Sequence, residues 1–223
     1  MTLRASAPPR EPESRPFILG LTGSIGMGKS AVAAMLRELG VPVFDADAAV
    51  HELQGPAGVC LAPIERAFPG TTGAQGVDRQ KLGAAVFGHP DKLKLLEAIV
   101  HPEVAEMRRA FLADNADAPL IVFDIPLLFE KTGQHGLDAV AVVSAPAAVQ
   151  RERVLARPGM SAEKFASILA LQVPDAEKRA RADFVIDTGL PLAQTQALVA
   201  ALIAHLRENG SWPPLPASPG GSI

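Results

Sequence analysis

A glycine-rich stretch that ends in a lysine and a serine is the part of the chain best suited to bind phosphate. It reads GSIGMGKS over residues 23–30 and fits the spacing G-x-x-x-x-G-K-S of a phosphate-binding loop, or P-loop. Gly26 and Gly28 would allow successive backbone N–H groups to point inward around a phosphate. Lys29 would reach the β- and γ-phosphates of a nucleoside triphosphate, and the Ser30 hydroxyl would ligate Mg²⁺. The alternative is a glycine-rich turn with no ligand.

Three aspartates at the ends of predicted strands could orient or deprotonate an acceptor hydroxyl. Asp45 and Asp47 lie in VPVFDAD, residues 41–47, which we predict to be a strand. Two residues apart on an extended segment, the pair would share a face and could both point into a cleft. Each could hold Mg²⁺ through water or accept a proton; alternatively, Asp47 caps the next helix. Asp124 ends another apolar run and is a second candidate near the metal, or a turn residue before Pro126.

Arginines in the segment QRERVLARPG could balance the charge on a transferred phosphoryl group. Arg153 and Arg157 are four residues apart, so we expect them to share a helix face before Pro158 and Gly159 break the helix. A hinged helical pair with aligned arginines suits a lid that closes over phosphates. The simpler alternative is that these arginines are solvated charges on a surface helix. Glu130, at the end of the segment VFDIPLLFE, could likewise be only a surface charge.

Short apolar runs alternate with helical patterns along the chain and would position these groups. The predicted strands are 16–23, 41–47, a strand within 118–130, 137–145 and 183–189; the predicted helices are 30–40, 146–159, 161–182 and 190–210. This alternation predicts an α/β fold with a parallel sheet buried on both faces. In the first helix, Val32, Met35, Leu36 and Leu39 would face the core, and Gly40 would end the helix.

Three further segments of the chain depart from this alternation. Residues 48–116 show no clear strand and look mostly helical, with breaks around 55–76, so they are the candidate for an inserted helical subdomain. Residues 1–16 and 211–223 are rich in Pro, Gly, Ser and charged residues, and we predict that both are disordered tails. The folded part would then be residues 17–210, with a lid region at 146–182.

Composition restricts the class of protein and its partners. The chain has 223 residues, 48% of them hydrophobic, with a net charge of -3, which predicts a globular protein without a global field towards nucleic acid. We expect no membrane span and no signal peptide, and therefore a cytoplasmic location. The single cysteine, Cys60, excludes an intrachain disulfide and is expected to be a small, partly buried residue. We expect a monomer or a weak homo-oligomer.

Six blocks of the sequence, in order, resemble those of the bacterial dephospho-coenzyme A kinase family. They are GLTGSIGMGKS, FDADAAVHEL, IVHPEV, VFDIPLLFE, QRERVLARPGMS and LQVPDAEKRARADFVID. The resemblance covers about residues 17–205. It implies a three-layer P-loop NTPase core with a helical CoA-binding domain and a lid, and transfer of the γ-phosphoryl of ATP to the ribose 3′-hydroxyl of dephospho-CoA.

The same resemblance implies roles for individual residues. Asp47 would be the general base and a possible Mg²⁺ ligand, with Lys29 and Arg153 also catalytic. Asp45, His101 and Asp124 would lie at the acceptor; from the sequence alone, His101 is only a helix N-terminal residue before Pro102. Gln172 and Lys178 match family positions without separable roles. The expected ATP-binding residues are Gly23, Ser24, Ile25, Gly26, Met27, Gly28, Lys29, Ser30, Ala31 and Arg157, with Ser30 as the Mg²⁺ ligand.

The sequence departs from the family pattern at two positions that bear on ATP binding, and two alternative functions are also considered. Ala31 replaces a frequent threonine and removes a possible contact to the α-phosphate, and Thr188 stands in a segment that would face the adenine, where relatives commonly have asparagine. The first alternative function is another small P-loop kinase acting on a nucleoside or nucleotide. The second is an ATP-sensing module without an acceptor, against which the two aspartates and the lid arginines argue.

Overall fold

The computed structural model describes residues 15–132 and 136–209. The described chain divides into two compact units: the first holds the residues up to Val43 and from Asn115 onward, and the second is Phe44–Asp114. Residues 1–14 and 211–223, in the tails predicted to be disordered, lie outside the described residues, as does residue 210. Arg15 is described, and its guanidinium pairs with both carboxylate oxygens of Asp138 at 2.9 and 3.0 Å. None of the described helices is long and apolar enough to cross a membrane.

The apolar runs of the sequence form strands, and the sheet they build confirms the predicted α/β fold. The strands are β1 (Phe17–Thr22), β2 (Val43–Asp45), β3 (Thr72–Gly73), β4 (Gly76–Val77), β5 (Leu120–Asp124), β6 (Ala139–Ser144) and β7 (Phe184–Asp187). The main sheet has the order β2-β5-β1-β6-β7. β1 pairs in parallel with β5 and with β6, and β6 pairs in parallel with β7. Parallel neighbours of this kind require the crossover helices that the alternating pattern predicts.

Helices occupy the segments between these strands. They are α1 (Lys29–Glu38), α2 (Ala46–Leu53), α3 (Leu61–Ala67), α4 (Arg79–Val86), α5 (Pro90–Asp114), α6 (Ala147–Leu155), α7 (Ala162–Ala170), α8 (Asp175–Arg181) and α9 (Leu192–Asn209). A π-helical turn, Leu128–Thr132, follows β5. The apolar face predicted for α1 is confirmed, because its four members lie in or against the main core. Gly40, with φ of 76°, lies just beyond its end.

The sheet of the first unit is packed on both faces, because successive residues of a strand point to opposite sides. On one face, Leu21 of β1 lies in a buried cluster with Leu36 of α1 and Leu202 of α9. On the other face, Val142 of β6 lies in a separate buried cluster with Leu128. This sandwich fixes the ends of β1 and β5, from which the P-loop and Asp124 project.

The second unit, Phe44–Asp114, has its own apolar core among α2–α5. The core residues are Leu53, Cys60, Ile64, Phe68, Leu82 and Val100. The expectation that residues 48–116 contain no strand is wrong in one place, because β3 and β4 form a two-stranded antiparallel hairpin. Strands of two residues are too short to show the apolar–polar alternation by which a strand is recognised in a sequence.

The segment 161–182, predicted to be one helix, is two helices in the structure. α7 ends at Ala170 and α8 begins at Asp175. Pro174 has no N–H to donate and disfavours a helical conformation of Val173, so the helix cannot continue through them. The break places Gln172 in a loop rather than in a helix.

Candidate active site

Residues 23–28 join β1 to α1 in the strand–bend–helix context expected of a P-loop. Gly26 and Gly28 have φ values of 78° and 85°, a region that residues with a side chain rarely adopt. A Cβ added to Gly26 would also lie 2.4 Å from Cγ2 of Val154, so the site has no room for a side chain. The first N–H groups of α1, which begins at Lys29, lack helical partners and favour a negative charge at this end.

Lys29 and Asp124, both expected from the sequence to belong to the site, contact each other. The ammonium group of Lys29 forms an ion pair with the Asp124 carboxylate. Asp124 is the last residue of β5 and is in register with Leu21 of the parallel neighbour β1. The pair therefore lies at the carboxyl edge of the sheet, where ligands of open α/β folds bind.

Ser30 and Ala31 follow Lys29 in the first turn of α1, and both are exposed. Among the described residues, no cluster of three or more His, Cys, Asp or Glu side chains could hold a metal ion. Mg²⁺ at phosphoryl-transfer sites needs only one or two protein oxygens, because phosphate and water oxygens supply its other ligands. An exposed hydroxyl beside the P-loop lysine fits that requirement.

Thr188, which follows β7, is bonded to the P-loop backbone. It is 6% exposed, and its hydroxyl donates to the Met27 carbonyl oxygen at 2.6 Å. Its own carbonyl oxygen accepts a hydrogen bond from Nη2 of Arg153 at 2.7 Å. The residue that departs from the family pattern thus links the P-loop to one of the two expected arginines.

Arg153 and Arg157 do not share a helix face, so this prediction is wrong. α6 ends at Leu155, and Arg157 lies in the following turn with its side chain exposed. The residue that precedes a proline is driven out of the helical conformation, and Arg157 precedes Pro158. Arg153 is the half-buried member of the pair, in the last turn of α6.

Asp45 and Asp47 do not lie on one extended segment, so the prediction that they share a strand face is also wrong. β2 ends at Asp45, whose carboxylate accepts a hydrogen bond from the Ala48 N–H at 2.9 Å and caps α2. Asp47 lies in the first turn of α2 and is exposed. The helix cap considered for Asp47 is made by Asp45 instead, because an aspartate that caps must lie outside the helix it begins.

His101 lies near the middle of α5 with its side chain exposed. Its interpretation as a helix N-terminal residue is wrong, because α5 runs from Pro90 to Asp114 with Pro102 inside it. A proline in a helix interior removes one hydrogen bond, so prolines are more common at helix starts. For this reason the sequence suggested a helix that begins near Pro102 rather than one that continues through it. The role of His101 at the acceptor stays a prediction.

Glu130 is not a surface charge, so this alternative is wrong. Lys178 is completely buried, and its ammonium group lies 2.7 Å from Oε1 of Glu130, whose side chain is 9% exposed. The same oxygen accepts a hydrogen bond from the Val173 N–H at 3.0 Å. No sequence pattern predicts this contact, because the neighbours of Lys178 in α8, Glu177 and Arg179, are charged and exposed.

Two glutamines contact the P-loop, and neither contact was predicted from the sequence. Gln172 accepts a hydrogen bond from the Ile25 N–H, and Gln150 donates one to the Ile25 carbonyl oxygen. No spacing rule links residues so far apart in the chain, so pattern reasoning could not have found them.

Cys60 belongs to the core of the second unit and is fully buried. Burial, and to a lesser extent the charge of Glu103, raises the pKa of the Cys60 thiol above its usual value. The thiol therefore stays protonated near neutral pH, which suits a packing residue rather than a nucleophile.

The sequence is similar to known kinases over most of its length. The family model described as dephospho-CoA kinase matches residues 17–193. A dephospho-CoA kinase of Novosphingobium aromaticivorans is 71% identical over 196 residues, which cover 88% of this chain and 98% of that protein. One of Mesorhizobium japonicum is 57% identical over 198 residues, which cover 87% and 100%.

Solved structures resemble the fold as well. A crystal structure of a Thermus thermophilus protein gives a TM-score of 0.76 at 38% identity and covers 86% of this chain and 98% of the other. The dephospho-CoA kinase of Campylobacter jejuni gives a TM-score of 0.57 at 25% identity and covers 85% and 96%. Both likenesses extend over nearly the whole of the solved chains.

Proposed function

The chain belongs to the dephospho-CoA kinase family, and from this premise we propose that it transfers the γ-phosphoryl of ATP to the ribose 3′-hydroxyl of dephospho-CoA. The observation that carries the proposal is the P-loop, with Lys29 beside the buried Asp124, inside a chain that the family model matches from residue 17 to residue 193. It is an ATP-dependent kinase, a transferase with a hydroxyl acceptor.

The proposed reaction begins with a triphosphate held by the P-loop. The N–H groups of Gly26, Gly28, Lys29 and Ser30 face the phosphates, whereas the Met27 N–H is already bonded to the Ser24 carbonyl oxygen. The Lys29 ammonium, held at the sheet edge by Asp124, faces the β- and γ-phosphates. Charge that develops on the transferred group is thus met by donors already in place. Mg²⁺, held by Ser30 and the phosphates, would supply further positive charge when bound.

Asp47 is proposed as the base that prepares the acceptor. The acceptor oxygen attacks the γ-phosphorus, the bond to the bridging oxygen of ADP breaks, and the hydroxyl proton passes to the Asp47 carboxylate. Support comes from the exposure of Asp47 in the first turn of α2, where its carboxylate does not cap the helix because Asp45 does. Asp45 and His101 are proposed to lie at the acceptor, on the family resemblance alone.

Arg153 and Arg157 are proposed to balance charge on the phosphoryl group from the segment 146–182, the proposed lid. Arg153 is already directed to the loop after β7 by its hydrogen bond to Thr188, which in turn bonds the P-loop. Arg157 is exposed in the turn after α6, where a bound triphosphate would be its partner. A cytoplasmic location and a monomeric or weakly associating state are also proposed.

A panel of acceptors tests the proposed function. ADP release is followed in a coupled assay with dephospho-CoA, nucleosides, nucleoside monophosphates and shikimate. ADP formation that depends on dephospho-CoA is the expected result. Dependence on a nucleoside or a nucleotide instead would establish the other small kinase, and ATP binding without any acceptor-dependent ADP would establish an ATP sensor.

A further inference from the structure

The peptide groups of Ile25, in the P-loop, are bonded by two glutamine side chains. Oε1 of Gln172 accepts a hydrogen bond from the Ile25 N–H at 3.1 Å. Nε2 of Gln150 donates one to the Ile25 carbonyl oxygen at 2.7 Å. The backbone–backbone hydrogen bonds found among the described turns and loops do not include Ile25. The two side chains therefore take the place of the helix or strand partners that this part of the bend lacks.

Backbone chemistry fixes the polarity of the two bonds. A peptide N–H can only donate, so Gln172 must present its amide oxygen to it; a peptide carbonyl can only accept, so Gln150 must present its amide nitrogen. The two glutamines thus have opposite hydrogen-bonding roles, one as acceptor and one as donor, although both bind the same residue.

The two glutamines flank the segment that carries the arginines. Gln150 lies on α6, three residues before Arg153, and Gln172 lies in the loop after α7. That loop is itself held by two hydrogen bonds made by residues that follow Gln172. The Val173 N–H is bonded to Glu130, and on the other side of Pro174 the Asp175 carboxylate accepts a hydrogen bond from the Ser144 hydroxyl at 2.8 Å. The oxygen of Gln172 is therefore presented to the P-loop by an anchored loop.

We propose that Gln150 and Gln172 are positioning residues which hold the P-loop bend in the shape that binds the ATP phosphates and which tie this shape to the arginine-bearing segment. The residue after Ile25 is Gly26, whose φ of 78° is open to many other conformations because it has no Cβ. Without the two bonds, the peptide groups on either side of Ile25 can rotate, and the N–H groups that follow lose their common direction. The inference rests on the proposed function, because it assumes that ATP occupies the P-loop.

The opposite polarity of the bonds provides a sharp test. Gln172→Glu keeps an oxygen acceptor for the Ile25 N–H, whereas Gln150→Glu removes the donor and sets a carboxylate against a carbonyl oxygen. Both variants add one negative charge beside the same residue, so a difference between them reports bond polarity and not charge. We expect the KM for ATP to rise at least about tenfold more in Gln150→Glu than in Gln172→Glu.

Removing the bonds without adding charge gives the second part of the test. Gln172→Met and Gln150→Met should each raise the KM for ATP and the dissociation constant of ADP about tenfold, with the KM for dephospho-CoA unchanged. Gln196→Met, at an exposed position of α9, is the matched control and should match the wild type. Gln172 is only partly buried, so the comparison of Gln172→Glu with Gln172→Met stands alone if the variants at Gln150 do not fold.

The outcomes separate this inference from the proposed function. The inference is wrong if the KM for ATP rises equally in the two glutamate variants, or if nucleotide affinity is unchanged in both methionine variants. Neither result bears on the proposed function, provided that the wild type phosphorylates dephospho-CoA. A wild type that makes no ADP with dephospho-CoA contradicts the proposed function. In that case the dissociation constant of ADP, measured calorimetrically across the same variants, still decides the role of the glutamines.

Discussion

Lys29 and Asp124 form an ion pair that joins the first residue of α1 to the last residue of β5. The Asp124 side chain is 3% exposed and that of Lys29 is 17% exposed, so water screens the pair only weakly. The carboxylate holds the P-loop lysine at the edge of the sheet before any phosphate is bound. A triphosphate would then compete with a positioned acid for the ammonium group rather than recruit a freely moving side chain.

Replacing Lys29 should abolish most phosphoryl transfer. In Lys29→Ala the β- and γ-phosphates lose a positioned cation, so we expect kcat to fall at least about 10²-fold. The coupled ADP-release assay with dephospho-CoA measures it. Lys81→Ala removes a lysine whose side chain is 66% exposed and serves as the control for loss of one positive charge. Near-normal turnover in Lys29→Ala would contradict the site.

Asp47→Asn should separate catalysis from binding. The amide keeps the size of the side chain but cannot take a proton, so kcat should fall about 10²–10⁴-fold while the KM values of both substrates change little. Initial rates with ATP and dephospho-CoA varied independently give this split. Asp91→Asn is the matched control, because Asp91 is also an exposed aspartate in the first turn of a helix. A kcat close to that of the wild type would show that Asp47 is not the base.

The fold and the centre of the site could be predicted because their signals are local. An apolar run, eight residues of fixed spacing and an amphipathic helix follow one another without interruption, and together they specify β1, the P-loop and α1. Asp124 was found in the same way, since parallel strands bring their carboxyl ends to one edge. The position of Asp124 at a strand end was thus enough to predict that it belongs to the site, although its contact with Lys29 was not predicted.

The remaining parts of the site depend on exact helix boundaries or on contacts between distant segments. A shift of the strand end by two residues turned Asp45 into a helix cap and moved Asp47 into the helix. The end of α6 was misplaced in the same way, because the predicted helix ran to Gly159 whereas α6 ends at Leu155, before Arg157. Gln172 and Lys178 could be named from the family resemblance, but their partners, Ile25 and Glu130, lie 147 and 48 residues away in the chain.

The buried pair of Glu130 and Lys178 should be strongly coupled in stability. Lys178→Met leaves the Glu130 carboxylate buried without this cation, and we expect the free energy of unfolding to fall by about 3–5 kcal/mol. The double variant Glu130→Gln/Lys178→Met should lose much less than the sum of the single variants, as urea unfolding would show. The exposed pair Glu177 and Arg181 in the same helix is the control and should couple by under about 1 kcal/mol. Additive losses in the buried pair would contradict the coupling.

Glu65 should make the stability of the second unit sensitive to acid. Its carboxylate accepts hydrogen bonds from the Gly70 N–H at 2.7 Å and from the Thr72 hydroxyl at 2.7 Å, and these bonds lower the pKa of Glu65 from 4.5. A lowered pKa means that the folded state favours the ionised form. The stabilisation is therefore complete above about pH 4.5 and is lost as the pH falls through the lower pKa of the folded state.

Glu65→Gln removes this pH dependence. The variant should melt at a lower temperature than the wild type at pH 7, and the difference should shrink as the pH is lowered below about 4.5. Thermal unfolding followed by circular dichroism between pH 3 and pH 7 provides the measurement (roughly the span in which a carboxylate titrates). Glu38→Gln, which removes an exposed carboxylate from the last turn of α1, is the control for net charge. A gap between Glu65→Gln and the wild type that stays constant over this range would show that the hydrogen-bonded carboxylate does not couple folding to pH.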